Sequence, residues 1–187
     1  MSRTEIRYER LNHQNFDCRS LDGFIRRQTV RESWRKIDGT WRLIPNDYEE
    51  NWDLIRRQEI AADIARHMET DQSAFGAFSS DQLVGFITVS HALFGQSARY
   101  APLVCFQVSE PYRRQGIGKR LFALAAGELA ALGADRLYIS AHSSRESQAA
   151  YRALDCVDAA EINARLAAEE PFDVPLEYQP PAHKAKG

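Results

Sequence analysis

The chain has 187 residues, 44% hydrophobic and 27% charged, with a formal net charge of −2. That is enough sequence for a sizeable core, so one domain over residues 1–180 with a loose tail at 181–187 is expected. The nearly balanced charge argues against a general nucleic-acid surface, and no apolar run approaches the roughly 20 residues that cross a bilayer. Residues 1–5 carry no signal-peptide apolar stretch. The three cysteines, Cys18, Cys105 and Cys156, are widely spaced and odd in number, which suits free thiols in a reducing compartment and no metal site. A cytoplasmic location follows as the expectation.

Along the chain, Glu5 to Arg10 reads as a strand, and Asp17 to Thr29 as a first helix with Leu21, Phe24 and Ile25 on one side. The segment Trp34 to Ile44 centres on Asp38-Gly39 between alternating residues, a strong hairpin signal. Tyr48 to Glu69 carries Trp52, Ile55, Ile60, Ile64 and Met68 at mostly helical spacing. Ala74–Phe78 and Leu83–Val89 then read as two strands joined through Ser79 to Gln82, a second hairpin.

The loop at Gly95 to Ala98 leads into a buried strand, Leu103 to Val108, and that strand runs through Glu110-Pro111-Tyr112 into a glycine turn. Gly116 and Gly118 let backbone approach a ligand, and the free N–H groups of the helix that follows favour an anion. Arg113, Arg114, Lys119 and Arg120 gather four cations around the same point. Three phosphate-binding patterns compete here. A Walker-type loop needs a glycine where Arg113 stands and a Ser or Thr where Arg120 stands, so it fails. A dinucleotide fingerprint needs a glycine in place of Leu121, whose bulk blocks close helix–strand packing.

What remains is Arg/Gln-x-x-Gly-x-Gly, met by Arg113, Gly116 and Gly118. This resembles the coenzyme A pyrophosphate loop of the GNAT superfamily of N-acetyltransferases. The helix after it has Ile117, Leu121, Leu124 and Leu129 as an apolar stripe and stops at Gly133 as a left-handed cap would. Asp135 to Ala141 reads as a further strand and Ser143 to Leu154 as a capped helix, similar to the family's final strand and helix. Val157 to Ala160, Asn163 to Glu170 and Val174 to Tyr178 complete the chain as a strand, a short helix and a last strand.

The resemblance covers roughly Ser73 to Tyr178 and is closest over Val108 to Leu121. It implies an α/β (α+β) fold, with a central mixed, mostly antiparallel sheet flanked by helices and splayed at the coenzyme-binding strand. It further implies acetyl-CoA as donor, held by Phe106, Val108, Arg113, Arg114, Gln115, Gly116, Ile117, Gly118, Lys119, Arg120 and Ser144. Ser144 stands where many members carry asparagine, and Asp155-Cys156 replaces the usual Gly-Phe after the tyrosine helix. A hydroxyl still donates and accepts, so the first departure is mild.

Tyr151 matches by position the tyrosine that lies beside the coenzyme sulfur in the family. A phenol titrates at about 10 and a thiol at about 8.5, so a neutral tyrosine can protonate the departing sulfur. Backbone N–H groups of a splayed strand can stabilise the charge on the thioester oxygen. An alkylammonium with a pKa of about 10.4 needs help losing its proton, yet Leu103 to Val108 offers neither carboxylate nor histidine. His91, Glu110 and His142 are near enough in sequence to be considered, a water relay is equally open, and no base is assigned. For the acceptor, the hairpin with Trp34 and Trp41 and the loop from His91 to Ser97 are candidate pocket walls, although the two tryptophans can equally form a surface clasp.

The expected activity is transfer of an acetyl group from acetyl-CoA to a primary amine of a small molecule or peptide, without metal, nucleic acid or membrane. A homodimer is left open. The alternatives are a non-catalytic acyl-CoA-binding regulatory module and a nucleotide-binding protein.

Overall fold

The computed structural model describes residues 5–181, so most of the expected tail lies outside the described residues. The chain opens with strands β1 (Ile6–Arg10), β2 (Gln28–Ile37) and β3 (Thr40–Glu50), then helix α1 (Leu54–His67) and strands β4 (Gln72–Ser79), β5 (Gln82–Ser90) and β6 (Tyr100–Val108). Helix α2 (Ile117–Leu132), strand β7 (Arg136–Ala141), helix α3 (Arg145–Arg152), strand β8 (Val157–Asp158), helix α4 (Ala164–Glu169) and strand β9 (Val174–Tyr178) follow. Seven strands form one sheet in the order β1-β4-β5-β6-β7-β9-β8, while β2 and β3 form a separate hairpin. Every neighbouring pair is antiparallel except β6 and β7. This is the mixed, mostly antiparallel sheet that the family resemblance implies.

Helix α2 lies on one face of the sheet and buries Ile117, Leu121, Phe122, Ala125 and Leu129 against Val84, Ile87 and Val89. Each large side chain removed from water there contributes about 2 kcal/mol. Helix α1 covers the other face with Ala61 and Ile64, where Leu21, Phe24, Leu83 and Phe86 meet it. Gly133 ends α2 at φ 67°, with its N–H bonded to the carbonyls of Leu129 and Ala130, as its place after the apolar stripe predicts. The Asp38-Gly39 turn has positive φ at both residues, 49° and 78°, the conformation that closes a tight hairpin without splaying its strands.

Two helix boundaries differ from the sequence reading. Asp17 to Thr29 is not a helix but a run of turns leading into β2. The Asp17 carboxylate accepts from the Arg19 N–H, and the Ser20 hydroxyl accepts from the Asp17 N–H. Short polar side chains thereby supply the backbone with partners a helix would otherwise supply, while Leu21 and Phe24 are still buried. The long helix begins at Leu54, not at Tyr48: Tyr48 pairs with Val30 and Glu50 with Gln28 in the hairpin, and Asp53 is the cap, accepting from the Arg56 N–H.

The parallel β6–β7 ladder pairs Tyr100 with Arg136 through Leu103 with Ile139 and stops there. On the opposite edge, Thr88 faces Cys105 and Val89 faces Leu103, so Val104 is an extra, bulged residue. A bulge bends its strand and breaks pairing locally. Beyond Val104, β6 keeps β5 as its neighbour and leaves its other edge open toward α3. The splay expected at this strand is thus accounted for by one inserted residue.

Candidate functional site

Two cavities occupy the opening between β6 and β7. One, of about 590 Å³, runs from the glycine turn to α3 and is lined by Val108, Arg113, Arg114, Gly116, Gly118 and Lys119, among others. The other, of about 600 Å³, lies toward β3 and the end of α4, with Glu49, Glu50, Glu170 and Asp173 on its wall. Arg26, Phe106, Gln107, His142 and Tyr151 line both, so the cavities meet at these residues.

The glycine turn is shaped as an anion cradle. Arg114 stands at φ 63° and Gly116 at φ 83°, and a Cβ on Gly116 would meet nothing within 4 Å. Left-handed backbone, not crowding, calls for glycine there. At Gly118 the constraint is contact: a Cβ would touch Phe106 Cζ at 3.4 Å and Val108 Cγ2 at 3.7 Å. Among the described residues, no backbone N–H from Arg114 to Lys119 has an acceptor in the chain. Six free donors at the positive end of α2 suit a diphosphate.

The basic side chains divide into two groups. Arg114 and Lys119 line the first cavity. Arg113 also borders it, but its Nε donates to the Val108 carbonyl at 2.9 Å and its Nη1 to the Arg27 carbonyl at 2.6 Å. It therefore fastens the turn to the end of β6 and to the approach to β2. Burial, together with nearby Arg26, pulls its pKa down. Arg120 and Gln115 are exposed and absent from the cavity wall, and Gln115 donates to the Pro111 carbonyl. Ile117 is buried in the core, which leaves only its N–H for a ligand.

Ser144 departs from its expected role. It is 0% exposed, its hydroxyl accepts from the Ser147 N–H as the cap of α3, and Gln28 Nε2 donates to it at 3.1 Å. Its position at the first turn of a buried helix end commits the hydroxyl to capping. The α3 residues that reach the first cavity are Glu146, Ser147, Ala150, Tyr151 and Leu154.

Tyr151 lies with its ring 6.2 Å from that of Phe106, edge to face. Its hydroxyl has no hydrogen-bond partner among the described residues. Burial pushes its pKa well above the ordinary phenol value, so the hydroxyl is protonated throughout the neutral range. His142 Nε2 is 3.0 Å from the Tyr48 hydroxyl and 3.3 Å from Glu50 Oε1, and its Nδ1 accepts from the Ser144 N–H. The hydrogen bond from His142, with Arg26 also close, holds the Glu50 carboxyl down at about 2. Cys105 lines the second cavity, but burial pushes its thiol up to about 12, which makes it an unreactive wall.

His91 is elsewhere: it hydrogen-bonds Ser73, which donates to Glu128 on α2. The loop after it is held by Glu161, whose carboxylate accepts from the Gln96 and Ser97 N–H groups at 2.7 Å each. Neither lines a cavity, and neither do Trp34 and Trp41. Trp34 pairs with Leu43 and Trp41 with Lys36, so the tryptophans are diagonal neighbours packed on the core. The hairpin does reach the site, through Gln28, Thr29, Glu49 and Glu50 at its open end. Sequence reading missed that end, together with Arg26, because those residues fell inside two segments assigned to helices.

Residues 31–155 match the model of the acetyltransferase (GNAT) family. The chain belongs to that family. No curated protein matches it by sequence, whereas many solved structures share the fold. Nourseothricin acetyltransferase superposes with a TM-score of 0.68 at 18% identity, covering 94% of this chain and 99% of that one. A streptothricin acetyltransferase assigned in Bacillus anthracis str. Ames, solved with acetyl coenzyme A, gives 0.66 at 15% identity over 95% and 99%. The PaiA N-acetyltransferase of Thermoplasma acidophilum, solved with coenzyme A, gives 0.58 at 15% over 94% and 99%.

Proposed function

We propose that the chain transfers the acetyl group of acetyl-CoA to a primary amine of a cationic small molecule, in a complex that holds donor and acceptor together. The observation that carries this reading is the junction of two cavities at the open edge of β6, one ending in free backbone donors and the other in carboxylates. A diphosphate fits the N–H groups of Arg114 to Lys119, with Arg114 and Lys119 adding charge and Arg113 holding the turn in shape. The bound thioester supplies the activated acetyl group.

The remaining steps fall to the chain. The unpaired edge of β6 beyond Leu103 offers backbone groups to the extended arm of the donor, as an added strand would. Its N–H groups also stabilise negative charge on the thioester oxygen without reorganising. Tyr151, kept neutral by burial, gives its proton to the departing sulfur. On the acceptor side, Glu49, Glu170 and Asp173 favour a positively charged molecule, and Phe106 with Trp52 provides apolar wall. The same experiment separates this from a non-catalytic acyl-CoA-binding module: thiol release measured with acetyl-CoA and a panel of polyamines, amino sugars and lysine-containing peptides. Turnover of a cationic small amine supports the proposal. Coenzyme binding without release on any amine supports the module, and preference for ATP over acetyl-CoA in a competition melt contradicts both.

A further inference from the structure

The sequence offers no base on β6, and the structure supplies a candidate just before β9. Asp173 sits one residue before β9, where Val174 pairs with Ala141 at the end of β7, so continuation of the register places it across from His142. It lines the acceptor cavity together with Tyr151 and Ser140. No salt bridge holds its carboxylate among the described residues. On the same cavity wall, Arg26 is 6% exposed, and its Nε and Nη1 are buried without a hydrogen-bond partner while Nη2 is bonded to Glu50. Two buried guanidinium N–H groups without an acceptor are costly, which points to a ligand oxygen completing the wall where the cavities meet.

We propose that Asp173 takes the proton from the acceptor's ammonium group. This rests on the acetyltransferase reading. The carboxylate removes one proton from R–NH₃⁺, the freed lone pair forms the N–C bond, and the C–S bond breaks with its electron pair remaining on sulfur. Tyr151 gives its proton to that sulfur and regains one from the newly bonded nitrogen. The proton on Asp173 leaves to solvent, so the sum is an amide, a thiol and one proton.

The surroundings suit this task. Burial raises the Asp173 pKa to about 6, with Glu170 and Glu50 acting in the same direction and His142 and Ser140 against it. Tyr151 and Cys105, the other titratable groups nearby, are neutral at pH 7 because burial raises both. Arg26 and Arg56 are the cations on the cavity wall, and Glu49 is a further carboxylate there. A base whose pKa lies just below the working pH is ionised yet still basic. Glu50, held at about 2, is a far weaker base.

Two measurements on Asp173→Asn test the assignment. With the best amine of the panel, wild-type kcat/KM should rise with pH through about 6, and the variant should lose that limb and about 100-fold or more in kcat, with KM for acetyl-CoA unchanged. In melts of the free protein, a carboxyl whose folded pKa lies above its unfolded value stabilises below the unfolded value and loses that contribution as pH rises through the folded one. Wild type should therefore lose stability relative to Asp173→Asn between about pH 4 and pH 6. A variant that keeps its kcat and its acid limb, or melts that run parallel, would overturn the role of Asp173 while leaving the acetyltransferase reading intact. A wild type that binds acetyl-CoA and acetylates nothing overturns both.

Discussion

The two ends of β6 are built for opposite purposes. At its start, Tyr100 to Leu103 pair with β7, and the Tyr100 hydroxyl donates to Glu177 at 2.7 Å while Arg136 donates to the same carboxylate at 2.6 Å. Glu177 also accepts from the Ala160 N–H, and Phe94 stacks 5.1 Å from Tyr100. Apart from Arg136 Nε, which is buried without a partner, the polar groups there answer one another within the chain. At its end, past the Val104 bulge, the strand edge is open and six N–H groups of the following turn have no acceptor among the described residues. Most of these residues are exposed, so water answers the donors of this helix start, and an anionic ligand can take the place of that water. The closed end fixes the angle between two strands, and the open end uses that angle.

Breaking the closed end should show most in stability. Glu177→Ala leaves the buried Tyr100 hydroxyl and the partly buried Arg136 without their shared acceptor, with an expected loss of about 3 kcal/mol in denaturant unfolding. Coenzyme affinity of the molecules that remain folded should change little. At the open end the order reverses. Gly118→Asp places a carboxylate beside the free N–H groups, and acetyl-CoA affinity by calorimetry should fall about 100-fold, about 2.7 kcal/mol, with the unfolding midpoint nearly unchanged. Tyr151→Phe should lower kcat about 10- to 100-fold with acetyl-CoA binding preserved, because only the proposed proton donor is removed.

The smallest effect concerns Glu50, whose pKa is depressed from the usual carboxylate value to about 2. A depressed carboxyl stabilises above its unfolded pKa and loses that contribution as pH falls through the folded one. Glu50→Gln should therefore flatten part of the acid-induced fall in Tm between about pH 4.5 and pH 2. Since Glu50 is partly exposed and shares Arg26 and His142, the change is modest. A steep effect would instead make the Arg26–Glu50–His142 cluster a main support of the fold.

The open end was far more legible in the sequence than its surroundings. Residues Arg113 to Gly118 form a local motif, and local motifs survive in one dimension: the glycine with positive φ, the helix start and the capping Gly133 all stand where the pattern puts them. Tyr151 likewise lies within reach of Phe106. The wall of the second cavity was not legible, since Arg26, Glu49, Glu50 and Asp173 come from separate segments joined only by long-range pairing. Gln28 opposite Glu50 is a contact that helical periodicity cannot reveal. Ser144 shows what motif position does not carry: its hydroxyl caps α3, and the residue is not on either cavity wall.

The central claim is that the open end of β6 and the turn after it receive the donor. Backbone amide NMR shifts on titration with acetyl-CoA test it most directly. The account predicts the largest shifts at Arg114 to Lys119 and along Val104 to Val108, with Tyr100 to Leu103 and the Glu177 network nearly still. Saturable binding whose shifts fall outside the turn and the strand end would contradict it.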